Sequence, residues 1–194
     1  MVPEPSGPYP HFILAYYASK FKAHKATLNF ISTQHPAYEI TQVYPSFVIG
    51  KNELASSTDA LVQGSNALLY SLLLGGQGQM SLEGATVHVD DVAYTHVKAL
   101  DPNIEGNQKF LCTSGGLEGS VWDDADDASE IVARRFPDAV KDGVLPLGGS
   151  QATTKVSFNT GKTREVLGFE FKGWEEQVVS AAGWYIEVAR KMQG

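Results

Sequence analysis

The chain has 194 residues and a formal net charge of −7; 43% of its residues are hydrophobic and 19% are charged. This composition is typical of a folded globular protein and excludes a disordered chain, a collagen and a coiled coil. A chain of this length buries about 70% of its unfolded surface, so we expect one domain with a small lobe. The acidic balance argues against nucleic acid as a partner, because such surfaces depend on clustered lysine and arginine.

Cys112 is the single cysteine, so the sequence offers neither an intramolecular disulfide nor a thiolate metal site. Nothing requires an oxidising compartment, and we expect a cytoplasmic protein. The amino terminus reads Met1-Val2-Pro3-Glu4-Pro5, which is not the basic and then apolar pattern of a signal peptide. The longest apolar run, residues 67–74, is interrupted by Ser71 and predicts no membrane span.

The first part of the chain predicts an irregular lead-in, one helix and one strand. Four of the nine prolines lie within the first ten residues. Apolar residues then recur at helical spacing over Tyr17–Ser32, and His35-Pro36 predicts the end of this helix. Tyr38–Tyr44 alternates and is rich in β-branched and aromatic residues. Together with Phe47-Val48-Ile49 it predicts a strand that runs into a loop at Gly50.

The rest of the chain alternates helices with short strands. Helical spacing over Ala60–Leu74 ends at Gly75-Gly76, and a strand at Ala85–Val89 leads into a helix that Asp90 or Asp91 is expected to cap. The remaining predicted elements are a strand at Lys109–Thr113, an acidic-headed helix at Trp122–Phe136, an extended segment at Val156–Phe158, a short helix at Lys162–Leu167 and a final helix at Trp174–Met192. This alternation indicates the α/β class.

The pentapeptide Tyr16-Tyr17-Ala18-Ser19-Lys20 is the strongest chemical signal in the sequence. A tyrosine and a lysine four positions apart lie one turn apart on the same helix face, so the two side chains can share a ligand. The ammonium of Lys20 would favour the phenolate form of Tyr16, which proton transfer near neutral pH requires. Spacing alone does not decide between this chemistry and an ordinary pair on a solvated helix face.

Four segments of the sequence, taken in order, resemble the motifs of a single protein family. The pentapeptide is similar to its Tyr-x-x-x-Lys active-site motif, and Tyr44-Pro45-Ser46-Phe47-Val48-Ile49-Gly50 is similar to the segment that lines the nicotinamide. His88–Leu100 resembles its His-Val-x-Asp-Val-Ala strand-to-helix signature. Phe158–Lys162, followed by Leu167-Gly168-Phe169, resembles its carboxyl-terminal Phe-Asp-Asn-x-Lys pattern. The family that these motifs resemble is the extended branch of the short-chain dehydrogenase/reductase superfamily. Within it, the similarity is to the NAD-dependent epimerase/dehydratase group that holds dihydroflavonol-reductase-like, cinnamoyl-CoA-reductase-like and methylglyoxal-reductase-like enzymes.

This resemblance implies an NAD(P)H-dependent oxidoreductase of secondary metabolism that acts on CH–OH groups and reduces a ketone or aldehyde in a small organic or natural-product substrate. Tyr16 would be the general acid at the carbonyl oxygen, and Lys20 would bind the nicotinamide ribose and favour the phenolate of the tyrosine. Tyr17 is expected to pack. Besides Tyr16 and Lys20, the cofactor would be contacted by the backbone of Pro45, Ser46, Phe47 and Val48.

The chain departs from the full family pattern in one respect. A dinucleotide-binding half needs a strand, a glycine-rich turn and a helix that receives the pyrophosphate. The fifteen residues before Tyr16 hold no such arrangement, and Gly75-Gly76-Gln77-Gly78 follows a predicted helix and lacks the G-x-x-G-x-x-G spacing. We therefore expect the C-terminal portion of a Rossmann-type extended enzyme, without the pyrophosphate- and adenosine-binding half for its NADP or NAD cofactor.

Two parts and two kinds of partner follow from this assignment. Residues 1–50 are predicted to hold the active-site helix and the last Rossmann strand, and residues 51–194 the small substrate-binding lobe and the C-terminal helices. The strand at residues 38–49 would lack its neighbours, which favours a homo-oligomer or pairing through the exposed sheet edge in addition to a carbonyl substrate. The competing hypothesis is a truncated, non-catalytic relative that acts as an interaction or substrate-lobe module.

No metal site is predicted. The run Asp123-Asp124-Ala125-Asp126-Asp127, with Glu130, lacks the spacing of a calcium loop and is typical of a solvated helix start. The histidines form no H-x-x-x-H pair, and Cys112 is predicted to lie in the core. The sequence contains neither a nucleophile elbow nor a phosphate-binding loop that would favour a hydrolase or a kinase.

Overall fold

The structure is a computed structural model, and it describes residues 7–10, 12–114 and 128–193. The chain divides into two compact units, residues 1–40 and residues 41–194. The functional division that we predicted, at residue 50, is a boundary of a different kind and stays a prediction.

The first unit contains one long helix, α1 (Phe12–Gln34). It begins at Phe12 rather than at Tyr17, because the preceding residues are apolar without interruption and therefore give no helical spacing to detect. Its predicted end is confirmed: His35 follows with a left-handed φ of 44°, and Pro36 cannot continue the helix. Many of its large apolar side chains are exposed, namely Phe12, Ile13, Leu14, Tyr16, Tyr17, Leu28 and Phe30.

The second unit is built on short parallel strands. In chain order these are β1 (Gln42–Pro45), β2 (Phe47–Ile49), β3 (Leu82–Glu83), β4 (Thr86–His88), β5 (Lys109–Cys112) and β6 (Thr153–Thr154). β1 pairs with β5, β2 with β4 and β3 with β6, all in parallel. The helices that connect these parallel strands confirm the α/β class.

The two edges of the β1–β5 pair differ. Gln42 N–H donates to Gln108 O at 2.9 Å, so by alternation Val43 N–H points to the opposite edge of β1. No strand occupies that edge among the described residues. The far edge of β5 is instead covered, because Thr163 Oγ1 donates to Leu111 O at 2.9 Å.

Seven helices accompany these strands in the described part of the second unit, and none of the described helices in either unit is long and apolar enough to cross a membrane. They are α2 (Thr58–Leu61), α3 (Asn66–Leu73), α4 (Val89–Lys98), α5 (Ala128–Arg135), α6 (Pro137–Lys141), α7 (Gly161–Leu167) and α8 (Trp174–Gln193). The single helix predicted at residues 60–74 is wrong, since Gly64, with a φ of 64°, separates α2 from α3. The start predicted for the acidic-headed helix, residues 122–127, lies outside the described residues.

The core of the second unit forms where α3, α5 and α8 pack together. Its fully buried side chains include Leu69, Tyr70, Leu73, Val132 and Val178. The rings of Tyr70 and Tyr185 lie 5.2 Å apart, and Tyr70 Oη donates to Ala181 O at 3.0 Å. This hydroxyl therefore ties α3 to α8 inside an otherwise apolar core.

Tyr70→Phe is expected to lower the free energy of unfolding by about 1 kcal/mol, because it removes one buried hydrogen bond without changing the packing. Urea unfolding followed by circular dichroism measures this loss. Tyr38→Phe is the matched control, since Tyr38 is 62% exposed. Equal midpoints for the two variants would contradict the assignment.

Candidate functional site

Tyr16 and Lys20 lie together on α1. The Nζ atom of Lys20 is 5.1 Å from the centre of the Tyr16 ring, within the range of a cation–π contact. Tyr16 is 47% exposed and Lys20 is also exposed, so a ligand can reach both side chains. The structure thus brings together the two residues that the spacing paired. Their roles in proton transfer and ribose binding stay predictions.

Two aromatic rings flank Tyr16. Phe12, one turn earlier, stacks on it with ring centres 6.4 Å apart and an interplanar angle of 29°. The ring of Tyr17 is 6.2 Å from that of Tyr16, and Tyr17 itself is 44% exposed. Ser19 Oγ donates to Tyr16 O at 2.7 Å, which constrains this turn of the helix. The sequence analysis missed Phe12, although its spacing of four residues from Tyr16 is the signal that identifies it.

Four consecutive residues predicted to contact the cofactor, Pro45, Ser46, Phe47 and Val48, form what we call the cofactor wall. They lie in the second unit, where β1 runs into β2. Pro45 has no N–H group. Ser46 N–H donates to Cys112 O at 3.0 Å, and Phe47 N–H donates to Ala85 O at 3.2 Å. Sheet pairing therefore uses the backbone donors of Ser46 and Phe47, and neither of them is free for a cofactor.

Val48 is the residue of the cofactor wall whose backbone N–H group is not used in sheet pairing. Successive N–H groups of a strand point to opposite edges, and the N–H group of Phe47 points toward β4. The N–H group of Val48 therefore points away from β4, to a side where the described residues place no strand. Of the four predicted wall positions, Val48 is the one whose backbone N–H can bind a ligand.

The end of the wall is fixed by Asn66 of α3. This side chain is buried, with Oδ1 accepting from Gly50 N–H at 3.1 Å and Nδ2 donating to Gly50 O at 2.8 Å. Gly50 has a φ of 148°, and a Cβ atom there would lie 2.7 Å from Val89 Cγ1. Ser180 Oγ of α8 accepts from Lys51 N–H at 3.1 Å and holds the next residue. The sequence predicted the loop at Gly50 but not the asparagine that holds it.

The cap predicted for α4 is wrong. His88, not Asp90 or Asp91, is the N-cap residue, and its Nδ1 accepts from Asp90 N–H at 3.0 Å. The helix begins at Val89, so both aspartates lie in its first turn, where the helix dipole favours negative charge. Asp91 is 5% exposed, and its Oδ2 accepts from Lys172 N–H at 2.8 Å.

Cys112 lies in the core, as predicted. Its side chain is fully buried, and its Sγ contacts Thr95 Oγ1 at 3.4 Å. Burial raises the pKa of the Cys112 thiol, which disfavours a reactive thiolate. In residues 7–10, 12–114 and 128–193, no three histidine, cysteine or carboxylate side chains are placed to hold a metal ion. The acidic run at residues 123–127 lies outside these ranges.

Comparison with known proteins gives consistent results. No protein-family model matches the chain. Ketoreductase CTB6 of Cercospora beticola is 37% identical over 196 residues, which cover 100% of this chain and 54% of that protein. NAD-dependent epimerase/dehydratase ALT6 of Alternaria alternata is 30% identical over 184 residues, which cover 90% of this chain and 51% of that protein. The chain belongs to the extended short-chain dehydrogenase/reductase family.

The Rossmann-type fold expected of an extended short-chain dehydrogenase/reductase is confirmed by solved structures. Yeast methylglyoxal/isovaleraldehyde reductase Gre2, solved with NADPH, is similar with a TM-score of 0.70 and 20% identity over 96% of this chain and 56% of that protein. Gre2 from Candida albicans, also solved with NADPH, gives a TM-score of 0.67 at 22% identity. The chain spans about half the length of the curated relatives it matches, and corresponds to their C-terminal half.

Proposed function

We propose that this chain provides the proton-donating and substrate-binding half of an NAD(P)H-dependent carbonyl reductase. The observation that carries the proposal is the Tyr16–Lys20 pair, one turn apart and open to a ligand on α1. Relatives named ketoreductase support the same reaction. The substrate class that follows is a ketone or aldehyde in a small organic or natural-product molecule, and a cytoplasmic location stays a prediction.

Each residue of the pair has a distinct task in this reaction. The Tyr16 hydroxyl donates its proton to the carbonyl oxygen as negative charge develops there, which completes the alcohol. The positive charge of Lys20 stabilises the phenolate that Tyr16 then carries, until solvent returns the proton. A bound nicotinamide would supply the hydride that reaches the carbonyl carbon.

One backbone group of the second unit supports the binding of a nicotinamide. Val48 has a backbone N–H group that is not used by sheet pairing, and we assign it to the carboxamide of the ring. Lys20 would bind the ribose. The sequence has no glycine-rich fingerprint, so the pyrophosphate and adenosine of NADPH or NADH would be held by residues outside 1–194.

The test is a reduction assay on two preparations. One is the chain alone, and the other is the chain co-expressed and co-purified with the N-terminal half of Ketoreductase CTB6. Oxidation of NADPH and NADH is followed by absorbance with methylglyoxal, isovaleraldehyde and an aromatic ketone. We expect carbonyl-dependent oxidation in the co-purified preparation. If the two halves copurify and bind NADPH but show no carbonyl-dependent oxidation with any substrate, the reductase proposal is wrong.

The unpaired edge of β1 favours a second candidate function, a non-catalytic interaction module. Val43 N–H faces that edge, and the described residues place no strand there. A strand edge without a neighbouring strand can accept a strand from another polypeptide. The same preparations separate the two candidates. Stable copurification without turnover supports the module, whereas turnover that requires Tyr16 supports the reductase.

A further inference from the structure

The buried end of β4 holds an imidazole that the proposed reaction does not use. His88 is 4% exposed, and its Nδ1 accepts from Asp90 N–H at 3.0 Å. A nitrogen that accepts a hydrogen bond carries no proton, so this geometry assigns the neutral ring with its proton on Nε2. The hydrogen bond that caps α4 therefore requires an uncharged His88.

Charged groups from three directions face His88 in the described part of the chain. Asp90 and Asp91 belong to the first turn of α4. Lys172 lies on the segment that joins α7 to α8, and Glu176 lies in the first turn of α8. The paired strand β2 (Phe47–Ile49) carries no titratable side chain. The imidazole is thus a neutral ring among three acidic side chains and one basic side chain.

Lys172 anchors the segment at residues 168–173 to α4 through both aspartates. Its Nζ donates to Asp90 Oδ2, and its backbone N–H donates to Asp91 Oδ2 at 2.8 Å. Lys172 O accepts from Gln177 Nε2 at 3.2 Å, which ties the same residue to α8. The oxygen that binds the Lys172 ammonium, Asp90 Oδ2, also lies 3.6 Å from His88 Nδ1.

We propose that His88 is a protonation switch that controls how the segment at residues 168–173 is held against α4. A proton on Nδ1 removes the acceptor for Asp90 N–H and turns that nitrogen into a donor. Asp90 Oδ2 is the carboxylate oxygen within reach of this new donor, and the same oxygen holds the Lys172 ammonium. Protonation therefore loosens the cap of α4 and weakens the contact with Lys172 in a single event.

The direction of the pH response follows from the surroundings of His88. Burial, and after it the charge of Lys172, lower the pKa of His88, whereas Asp90, Asp91 and Glu176 act in the opposite sense. The unfolded chain then binds this proton more readily than the folded chain does. The stability associated with neutral His88 is fully present above an ordinary histidine pKa of about 6.5 and is lost as the pH falls below it toward the folded pKa.

The segment at residues 168–173 also contacts α4 through its phenyl rings. Phe169 packs on Tyr94 of α4 with ring centres 4.9 Å apart, and Phe171 packs edge-on against Phe169 at 4.8 Å. The contact with Tyr94 and the Lys172 hydrogen bonds to Asp90 and Asp91 hold the segment to α4, in addition to its hydrogen bond with Gln177 of α8. Weakening the hydrogen bonds at the amino end of α4 leaves the aromatic contacts as the main remaining attachment of the segment to α4.

The test is hydrogen exchange by mass spectrometry on the whole chain at pH 7.5 and pH 5.5, corrected for the intrinsic pH dependence of exchange. In wild type we expect protection of the peptide that covers residues 168–173 to fall about fivefold at the lower pH, while peptides from α3 keep theirs. His88→Asn is the matched variant, because asparagine caps a helix without titrating in this range. Its protection is expected to be equal at the two pH values. An unchanged wild type, or the same fall in both proteins, would overturn the proposal.

A second variant keeps the test decisive if His88→Asn does not fold. Asp90→Asn retains His88 and removes the carboxylate for which it and Lys172 compete. The segment is then expected to exchange faster than in wild type at pH 7.5 and to change little further at pH 5.5. A wild-type pH response in Asp90→Asn would show that Asp90 does not mediate the effect and would also overturn the proposal.

Discussion

Gly50→Ala is expected to lower the free energy of unfolding by about 3 kcal/mol, as a strained backbone and a steric overlap combine at one position. The φ of Gly50 is 148°, and an added Cβ would lie 2.7 Å from Val89 Cγ1. The backbone cannot turn away, because Asn66 holds both the N–H and the C=O of Gly50. Urea unfolding monitored by circular dichroism measures the change.

Gly143→Ala is the matched control for this substitution. Gly143 also has a positive φ, 72°, but no atom lies within 4 Å of a Cβ placed there. Only the backbone term applies, so the expected loss is about 1 kcal/mol. If both variants lose the same amount, the contact with Val89 makes no contribution, and the close packing of α4 against the end of β2 is not what requires glycine.

Tyr16→Phe is expected to reduce kcat for carbonyl reduction at least about 100-fold, because the variant keeps the ring and its contact with Lys20 but has no proton to donate. The measurement is carbonyl-dependent NADPH oxidation by the chain copurified with a cofactor-binding half. KM for the carbonyl is expected to change much less than kcat, since the stacking on Phe12 and the shape of the site are preserved.

Tyr17→Phe tests whether this loss is specific to Tyr16. The two tyrosines are adjacent and similarly exposed, 47% and 44%, so each substitution removes one hydroxyl from the same turn of α1. Tyr17→Phe is expected to keep near-normal kcat. A large loss of kcat in Tyr17→Phe with normal kcat in Tyr16→Phe would show that Tyr17, not Tyr16, donates the proton, and our proposal would be wrong.

The first and last residues of a strand depend on the strand that it pairs with, so the sequence alone did not predict them correctly. The alternation that predicted a strand from Tyr38 is real, but pairing starts at Gln42, whose partner is Lys109, the first residue of β5. Alternation gives the tendency of one segment, whereas the ladder also needs backbone groups opposite it. By contrast, the end of α7 was predicted well, because Gly168, with a φ of 69°, is a local signal.

In the candidate site, too, the relations between residues close in sequence were predicted and those between distant residues were not. Tyr16 and Lys20 were paired correctly because four residues along a helix is a local relation. Asn66 contacts Gly50 across 16 positions, and no local pattern connects them. The selection of Val48 among the wall residues depends on which strands pair with β1 and β2, which the sequence did not reveal. His88 was missed as a cap because histidine is an uncommon N-cap residue.

The difference between the two edges of the β1–β5 pair limits the size of any assembly built on it. Thr163 donates to the far edge of β5, whereas the described residues place no strand beside β1, so the edge of β1 is the one that we expect to accept an added strand. Two copies that meet through β1 would be related by a two-fold axis, with the contacting strands antiparallel, and each copy would use the edge of β1 beside which the described residues place no strand. Such growth stops at a closed dimer, whereas a sheet with two open edges could extend into a fibre.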